Sequence, residues 1–384
     1  MAIRFEEIPS PCYVLDEAAL RINLEILRLV REAAGVEIIC ALKGFAFWHA
    51  FPMLAGYLDG ATASSLNEAR LIAEEMGVEA HTYCPVYEEE SFDTLLMYSK
   101  HLTFNSLSQY QRFFPRVRQS GKAVSMGLRI NPEYSEVETD LYNPALPDSR
   151  LGMTREQCGA SLPEGIEGLH FHALCENGSD VLERTLQAVE AKFGDWIRQV
   201  RWVNMGGGHW ITQDGYDVER LVRILKNFRQ RYPNLESVIL EPGEAVGLHT
   251  GYLVSTVCDV LPRKDFHIAM LDVSFACHMP DCIEMPYKPV ILGARDPKPG
   301  DRFVYRMGGN SCLAGDYMGM GDYAFDEPLE IGEKVIFDDM IHYTMVKTTF
   351  FNGVRHPSIA VWTERDELEM LRTFDYEDYK RKLS

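Results

Sequence analysis

Residues 36–45 read Val-Glu-Ile-Ile-Cys-Ala-Leu-Lys-Gly-Phe, VEIICALKGF. The mostly apolar run Val36 to Ala41 has the length and β-branched content of a fully buried strand. Lys43 and Gly44 follow at once. A lysine where a buried strand ends stands half in apolar surroundings, which lowers its pKa and suits it to attack a carbonyl. The same stretch also reads as a surface lysine that opens a loop, so the rest of the chain decides between the two.

Upstream, Asp16 can cap a helix whose apolar positions Leu20, Leu24, Leu27, Val30 and Ala34 recur at three- and four-residue spacing, and Gly35 ends it. Downstream, strand-like and helical segments alternate. Strands are expected at 59–64, 80–84, 101–105, 124–130, 168–173, 200–206 and 237–243. Helices are expected near 46–56, 66–76, 88–99, 107–114, 180–193 and 217–231, with a short one at 154–160. With 36–41 these make eight strands, the rhythm of a (β/α)8 barrel; an open doubly wound sheet would show the same alternation. Beyond Gly247 the helices stop. YLVSTVCDV, DFHIAML, KPVIL, RFVYRM, EKVIFD and IHYTMVKTTF read as short strands between Pro, Gly and Asp turns, an all-β second domain. The tail ERDELEMLRTFDYEDYKRKLS is charged and reads as helical at its start. The expected partition is a barrel over 11–246 and a β-domain over 247–384, with residues 1–10 available to pack on the latter.

At 384 residues, two domains are the prior. The formal charge of −19 argues against nucleic acid or an anionic membrane as partner and suits a small cationic substrate. Nine cysteines without a C-x-x-C pair suggest neither a zinc site nor a dithiol, and point to a reducing compartment. MAIRFEEIPSPCYVLDE has no apolar core of signal-peptide length, and no apolar run reaches about 18 residues, so no membrane span and a cytoplasmic location are expected.

A barrel works at the C-terminal ends of its strands. There the expected strands carry Lys43, Arg129, His172 with Cys175 and Glu176 beyond it, Gly206-Gly207-Gly208, and Glu241-Pro242-Gly243. The first and eighth strands are neighbours in a closed barrel, so Lys43 and Glu241 share one mouth. Taken singly, each has a bland reading: a solvated glutamate, a core histidine, a flexible glycine loop. Together, lysine, carboxylate, imidazole and glycines describe a pyridoxal 5'-phosphate (PLP) site. The lysine forms the imine, the carboxylate keeps the pyridine nitrogen protonated, the imidazole stacks on the ring and the glycines cradle the phosphate. A glutamate partner favours the strong electron sink that decarboxylation needs. GGNSCLAGDYMG, with Cys312 and Asp316, and DDMIHYTMVKTTFFNG, with Tyr343, form a second cluster; a buried small residue and a core aromatic remain open readings of Cys312 and Tyr343.

PCYVLDEAAL, ALKGF, ASSLNE, FHALC, MGGG, EPGE, SCLAGD and DMIHYTMVKTTFFNG together resemble the fold-type III PLP-dependent decarboxylases, a group that includes ornithine, diaminopimelate and biosynthetic arginine decarboxylases. Within it, EPGEA, FACHMPDCIEMPYKP and SCLAGD look most like the branch that acts on carboxylated polyamines, carboxynorspermidine and carboxyspermidine. The resemblance implies a barrel with a C-terminal β-domain, a head-to-tail homodimer with shared active sites, and PLP as cofactor. It implies Lys43 as Schiff-base lysine, His172 stacked on the ring, Glu241 at the pyridine nitrogen, Gly207 and Gly208 at the phosphate with Tyr343 near it, and Arg129 supporting the site. From the other subunit, Cys312 would donate a proton after carbon dioxide leaves and Asp316 would meet a substrate amine. Position 244 departs from the group: it is Glu where relatives carry a phosphate-binding arginine. Glu244 and Asp281 are therefore the candidates to read distal amines of a polycationic substrate, with Glu176 also near it. A decarboxylase of diaminopimelate, ornithine or arginine, or a non-catalytic regulator on the same scaffold, are the alternatives.

Overall fold

The computed structural model describes residues 3–384. Strand β1 (Cys12–Asp16) comes first. Then β2 (Glu37–Ala41), β3 (Gly60–Ala63), β4 (Ala80–Tyr83), β5 (Ser99–Phe104), β6 (Ser125–Arg129), β7 (Ile166–His170), β8 (Trp202–Asn204) and β9 (Ser237–Leu240) pair in parallel, and β9 closes on β2. These are the eight strands expected, in a closed barrel; the open-sheet reading is excluded. Helices follow the strands, the long ones at Leu107–Ser120, Ser179–Ile197 and Val218–Arg231. Each of the three buries one apolar stripe, as with Leu221, Ile224, Leu225 and Phe228. Ser65 and Ser106 accept the N–H of Glu68 and Gln109 and so begin their helices. The short helix expected at 154–160 is instead two i→i+3 turns, Gln157 N–H to Thr154 O and Cys158 N–H to Arg155 O. Left-handed Gly159 stops any propagation.

Inside the barrel the period of two along each strand sorts the side chains into layers. The lower layer holds Ile39, His81, His101, Trp202 and Ile239. The His101 ring stacks on Trp202 at 4.6 Å and 13°, and His81 lies 4.2 Å from His101. The indole is so large that its neighbours must be glycine: a Cβ on Gly168 would come within 1.9 Å of it, and one on Gly127 within 2.3 Å. Two residues further along the same strands come Tyr83, Arg129, His170, Asn204 and Glu241, and this upper layer is the floor of the site described below.

Burial drives the lower imidazoles to their neutral form, with His81 held down at about 4 and His101 at about 2. Each titrates near 6.5 in an unfolded chain. Unfolding below that pH therefore takes up protons. The stability owed to their neutrality is whole above about pH 6.5 and is lost as pH falls through about 4 for His81. Thermal unfolding followed by circular dichroism should give a melting temperature that falls between pH 6.5 and 4. A flat melting temperature across that window would contradict this account of the floor.

The second compact unit comprises residues up to Ile22 together with Gly247–Ser384, and the barrel unit runs from Asn23 to Val246. The break at 246/247 is where the helical alternation stops. The other break lies at 22/23, within the helix Glu17–Ala34. Strands β10 (Gly251–Pro262), β11 (His267–Leu271), β12 (Phe303–Gly308), β13 (Tyr323–Phe325), β14 (Lys334–Asp338), β15 (Ser358–Trp362) and β16 (Leu368–Arg372) form one mixed sheet with β1. Its order is β13-β12-β11-β10-β1-β15-β16, with β14 also on β10. Ile8, Cys12, Val14, Val254, Ile336, Ala360 and Trp362 are the core beneath it, and Ile3 and Phe5 pack against that core.

Three segments differ from the sequence reading. The start of the tail is strand β16, paired with β15 (Trp362 opposite Leu368), and the tail's helix comes later, at Tyr376–Leu383. IHYTMVKTTF is no strand but contains a single helical turn, Tyr343–Val346, and KPVIL makes only one isolated bridge, Ile291 to Phe337. A pairing partner distant in the chain overrides local propensity in the tail, and the two other segments lack a ladder to realise theirs. Among the described residues no two cysteines are bonded and no helix is long and apolar enough to cross a membrane.

Candidate active site

The upper layer and the loops above it enclose a cavity of about 650 Å³, counted to its open mouth, with Lys43, Tyr83, Arg129, His170, His172 and Glu241 in its wall. Lys43 lies two residues past β2, and His172 two residues past β7 rather than on its last rung, because β7 ends at His170. His170 and His172 still share the inward face, since they are two apart.

Lys43 Nζ is 3.4 Å from His172 Nε2, and the other ring nitrogen, Nδ1, accepts the N–H of Gly207 at 3.0 Å. Burial and the nearby Arg129 cation push the imidazole pKa well below its usual value, so the ring is neutral. Because Nδ1 accepts, the proton sits on Nε2. An N–H therefore faces the lysine, which can receive it only as a neutral amine. The lysine's own pKa is pushed down, first by burial and then by Arg129, with Glu241 opposing. Solvent reaches Lys43 through the cavity mouth although protein surrounds it, and that water softens the burial effect. The direction agrees with the tautomer: a neutral amine poised as nucleophile.

Glu241 is held from two sides. Asn204 donates to its Oε1 at 2.7 Å, and His170 Nε2 stands 3.5 Å from Oε2. Burial would raise the carboxyl's pKa, but hydrogen bonding from Asn204 opposes it and the balance lies below the usual value. His170 is itself kept neutral by burial, so at 3.5 Å it is a polar neighbour of Glu241 and not a cation. The downward direction for Glu241 thus rests on the Asn204 hydrogen bond. Asn204 also accepts the N–H of Gly206 at 2.9 Å, which ties the carboxylate to the glycine loop.

Packing alone requires the glycine triplet. A Cβ on Gly207 would fall 2.2 Å from the Glu241 carbonyl, and one on Gly208 2.0 Å from that of Leu174. Both positions are needed for backbones to pass, and the Gly207 N–H is already given to His172. Arg129 is buried, its guanidinium 4.6 Å above the Tyr83 ring, and Tyr83 Oη donates to Asn105 at 2.8 Å. Glu68 accepts the Ser64 N–H at 2.6 Å and acts electrostatically on Lys43. Glu244 accepts the indole N–H of Trp210 at 3.1 Å. Glu176 sits with φ at 53°, in the left-handed region that costs a non-glycine residue about 1 kcal/mol or more.

Lys43, Arg129, His172, Gly207, Gly208 and Glu241 thus converge in the barrel unit. Cys312, Asp316, Asp281 and Tyr343 belong to the sheet unit. There the Asp316 carboxylate accepts the N–H groups of Ala276 and Ser311, each at 3.0 Å, and Asp281 pairs with Lys347 at 2.5 Å. Tyr343 begins its helical turn with Lys347 Nζ 5.7 Å from its ring. His170, Asn204 and Tyr83 were not read from the sequence. The signal was there, in residues two before His172, two after Trp202 and at the end of the AHTY strand.

The residues fit PLP on this structure's own terms: a neutral amine, a buried ionised carboxylate across the cavity from it, and a loop in which no side chain can be tolerated. A closed parallel barrel with that mouth, continued by a mixed sheet, defines a PLP-binding decarboxylase of the barrel-and-sheet type, and the chain belongs to the pyridoxal-dependent decarboxylases. The family profile described as "pyridoxal-dependent decarboxylase, C-terminal sheet domain" matches residues 12–341. A carboxyaminopropylagmatine decarboxylase from Synechocystis is 50% identical over 99% of this chain and 97% of its own. A carboxynorspermidine/carboxyspermidine decarboxylase from Campylobacter jejuni is 46% identical over 98% of each chain. The crystal structure of carboxynorspermidine decarboxylase complexed with norspermidine, from Campylobacter jejuni, superposes with a TM-score of 0.90 at 44% identity, covering 98% of this chain and 100% of that one.

Proposed function

We propose that this protein is a PLP-dependent carboxy-lyase that decarboxylates carboxynorspermidine and carboxyspermidine to norspermidine and spermidine, as a cytoplasmic homodimer with shared active sites. The observation that carries the chemistry is the Lys43 amine 3.4 Å from His172 Nε2, with Glu241 in the wall of the same cavity. The relatives carry the substrate class.

Bound PLP supplies an aldehyde to take up the substrate amine and a ring that accepts the electron pair left by the departing carboxylate. Lys43 would hold the aldehyde carbon, and Glu241 would keep a proton on the pyridine nitrogen. His172 would cover one face of the ring, its orientation fixed by the Gly207 N–H. Gly208 would donate to the phosphate together with Tyr343; Gly207 takes part only through its packing, since its N–H is spent on His172. Arg129, levelled by Tyr83, keeps a second proton off Lys43. Cys312 would return a proton to the α-carbon, with Asp316 bracing its loop.

The substrates named by these relatives share a 3-amino-3-carboxypropyl group on a secondary amine and differ at the far end. Carboxynorspermidine and carboxyspermidine end in a primary amine, carboxyaminopropylagmatine in a guanidinium. The 50% identity to the Synechocystis enzyme favours the guanidinium substrate as a second reading. Catalytic efficiency measured on all three decides: the first reading expects kcat/KM highest on a polyamine, and a guanidinium substrate preferred tenfold or more would replace it with the second.

Glu244 is the residue best fitted to meet a substrate ammonium, because the Trp210 indole fixes its carboxylate. Glu244→Gln should lower kcat/KM on the preferred polyamine by about 1.5–3 kcal/mol, roughly ten- to a hundredfold, the loss of one charge-assisted hydrogen bond. An unchanged kcat/KM removes Glu244 from substrate recognition. Asp281 is the weaker candidate, since Lys347 already balances its charge.

A further inference from the structure

The Cys312 thiol stands exposed on the loop that follows β12, in Ser311–Asp316. Among the hydrogen bonds that hold that loop, two sets bear on the backbone of the thiol. The first is the buried Asp316 carboxylate, which accepts the Ser311 and Ala276 N–H groups; Gly309 makes room for it, since a Cβ there would lie 2.5 Å from the carboxylate. The second comes from another segment: Asn352 Oδ1 accepts the backbone N–H of Cys312 itself at 2.8 Å.

Asn352 is built to stay in place. It has φ 58° and ψ 5°, and Gly353 after it has φ 67°, two consecutive left-handed residues that an Asn-Gly pair adopts readily. Val354 N–H closes this turn on the Phe351 carbonyl at 3.3 Å. From above, Tyr379 of the helix Tyr376–Leu383 presses on Gly353, where a Cβ would meet the ring at 3.1 Å. A capping box at Asp375 and Asp378 starts that helix. The turn is thus clamped, and its one side-chain acceptor points at the peptide of Cys312.

We propose that Asn352 is a positioning residue for the Cys312 thiol: it fixes the backbone that aims the sulfur, and the C-terminal helix braces it through Gly353. The proposal rests on the reading that Cys312 returns the proton after decarboxylation. That step needs one proton per carbon dioxide, delivered to the α-carbon to give the amine. If it goes to the cofactor's carbon instead, water then releases an aldehyde and leaves the cofactor in its pyridoxamine form, so the amine yield falls below that of carbon dioxide. No external oxidant is needed.

The test uses the holoenzyme with carboxynorspermidine, counting carbon dioxide against amine, and iodoacetamide labelling of the Cys312 peptide. Asn352→Gly keeps the left-handed backbone and deletes the acceptor; Asn352→Asp keeps both. Asn352→Gly should raise the carbon dioxide to amine ratio above one and speed Cys312 labelling by about threefold to tenfold, the factor that one hydrogen bond supplies. Asn352→Asp should restore both. A ratio that stays at one in Asn352→Gly while Cys312→Ala raises it overturns the positioning role alone. A ratio of one in Cys312→Ala overturns the proton-donor reading, and the positioning role with it.

Discussion

Lys43→Ala should abolish covalent cofactor retention and lower turnover by about a thousandfold or more, the scale on which loss of a nucleophile is felt. Borohydride reduction of the wild-type holoenzyme should leave the cofactor's mass and yellow absorption on the protein after denaturation; the variant should lose both. The same substitution removes a lysine whose pKa is pushed down by burial. An amine kept in a place that disfavours its charge is a cost to folding, so the variant's apoenzyme should melt no lower than the wild type, as stability and activity trade against each other. A variant that is inactive because it is unfolded would not support the role assigned to Lys43. One that keeps turnover would remove it.

Glu241→Gln should have the second-largest effect. Gln is nearly isosteric and can still accept from Asn204, so the substitution isolates the charge. With no anion to hold a proton on the pyridine nitrogen, kcat should fall by about a hundredfold or more, as for loss of one preorganised electrostatic contact, while cofactor retention through Lys43 persists. Asn204→Asp approaches the same state from the other side. It puts a second carboxylate where Asn204 Nδ2 donates at 2.7 Å. Two carboxylates that close cannot both ionise, so the pair keeps one proton until the pH is raised. Its deficit should therefore shrink as pH rises, and that of Glu241→Gln should not. A pH profile for Asn204→Asp parallel to the wild type would contradict the role given to this hydrogen bond.

The barrel was legible because each strand is short, apolar and flanked by a periodic helix, so local pattern and tertiary fate agree. The convergence of six candidate positions, Lys43, Arg129, His172, Gly207, Gly208 and Glu241, was legible for a related reason: barrels gather the ends of their strands at one mouth. Strand β1 was missed because its partners, Val254 and Ser358 opposite Cys12, lie far along the chain. The same holds for β16, which reads as helix until β15 pairs with it. Asn204 and His170 were overlooked although the period of two places them beside Glu241. The packing role of the glycine triplet was not legible, since no spacing rule reports that Gly207 and Gly208 let the Glu241 and Leu174 carbonyls pass.

The most direct test of the central claim is product analysis with purified, PLP-loaded protein on carboxynorspermidine and carboxyspermidine, with diaminopimelate, ornithine and arginine as controls. The account predicts one carbon dioxide per norspermidine or spermidine formed and none from the controls. Release from diaminopimelate, ornithine or arginine, with the carboxylated polyamines left intact, would contradict it.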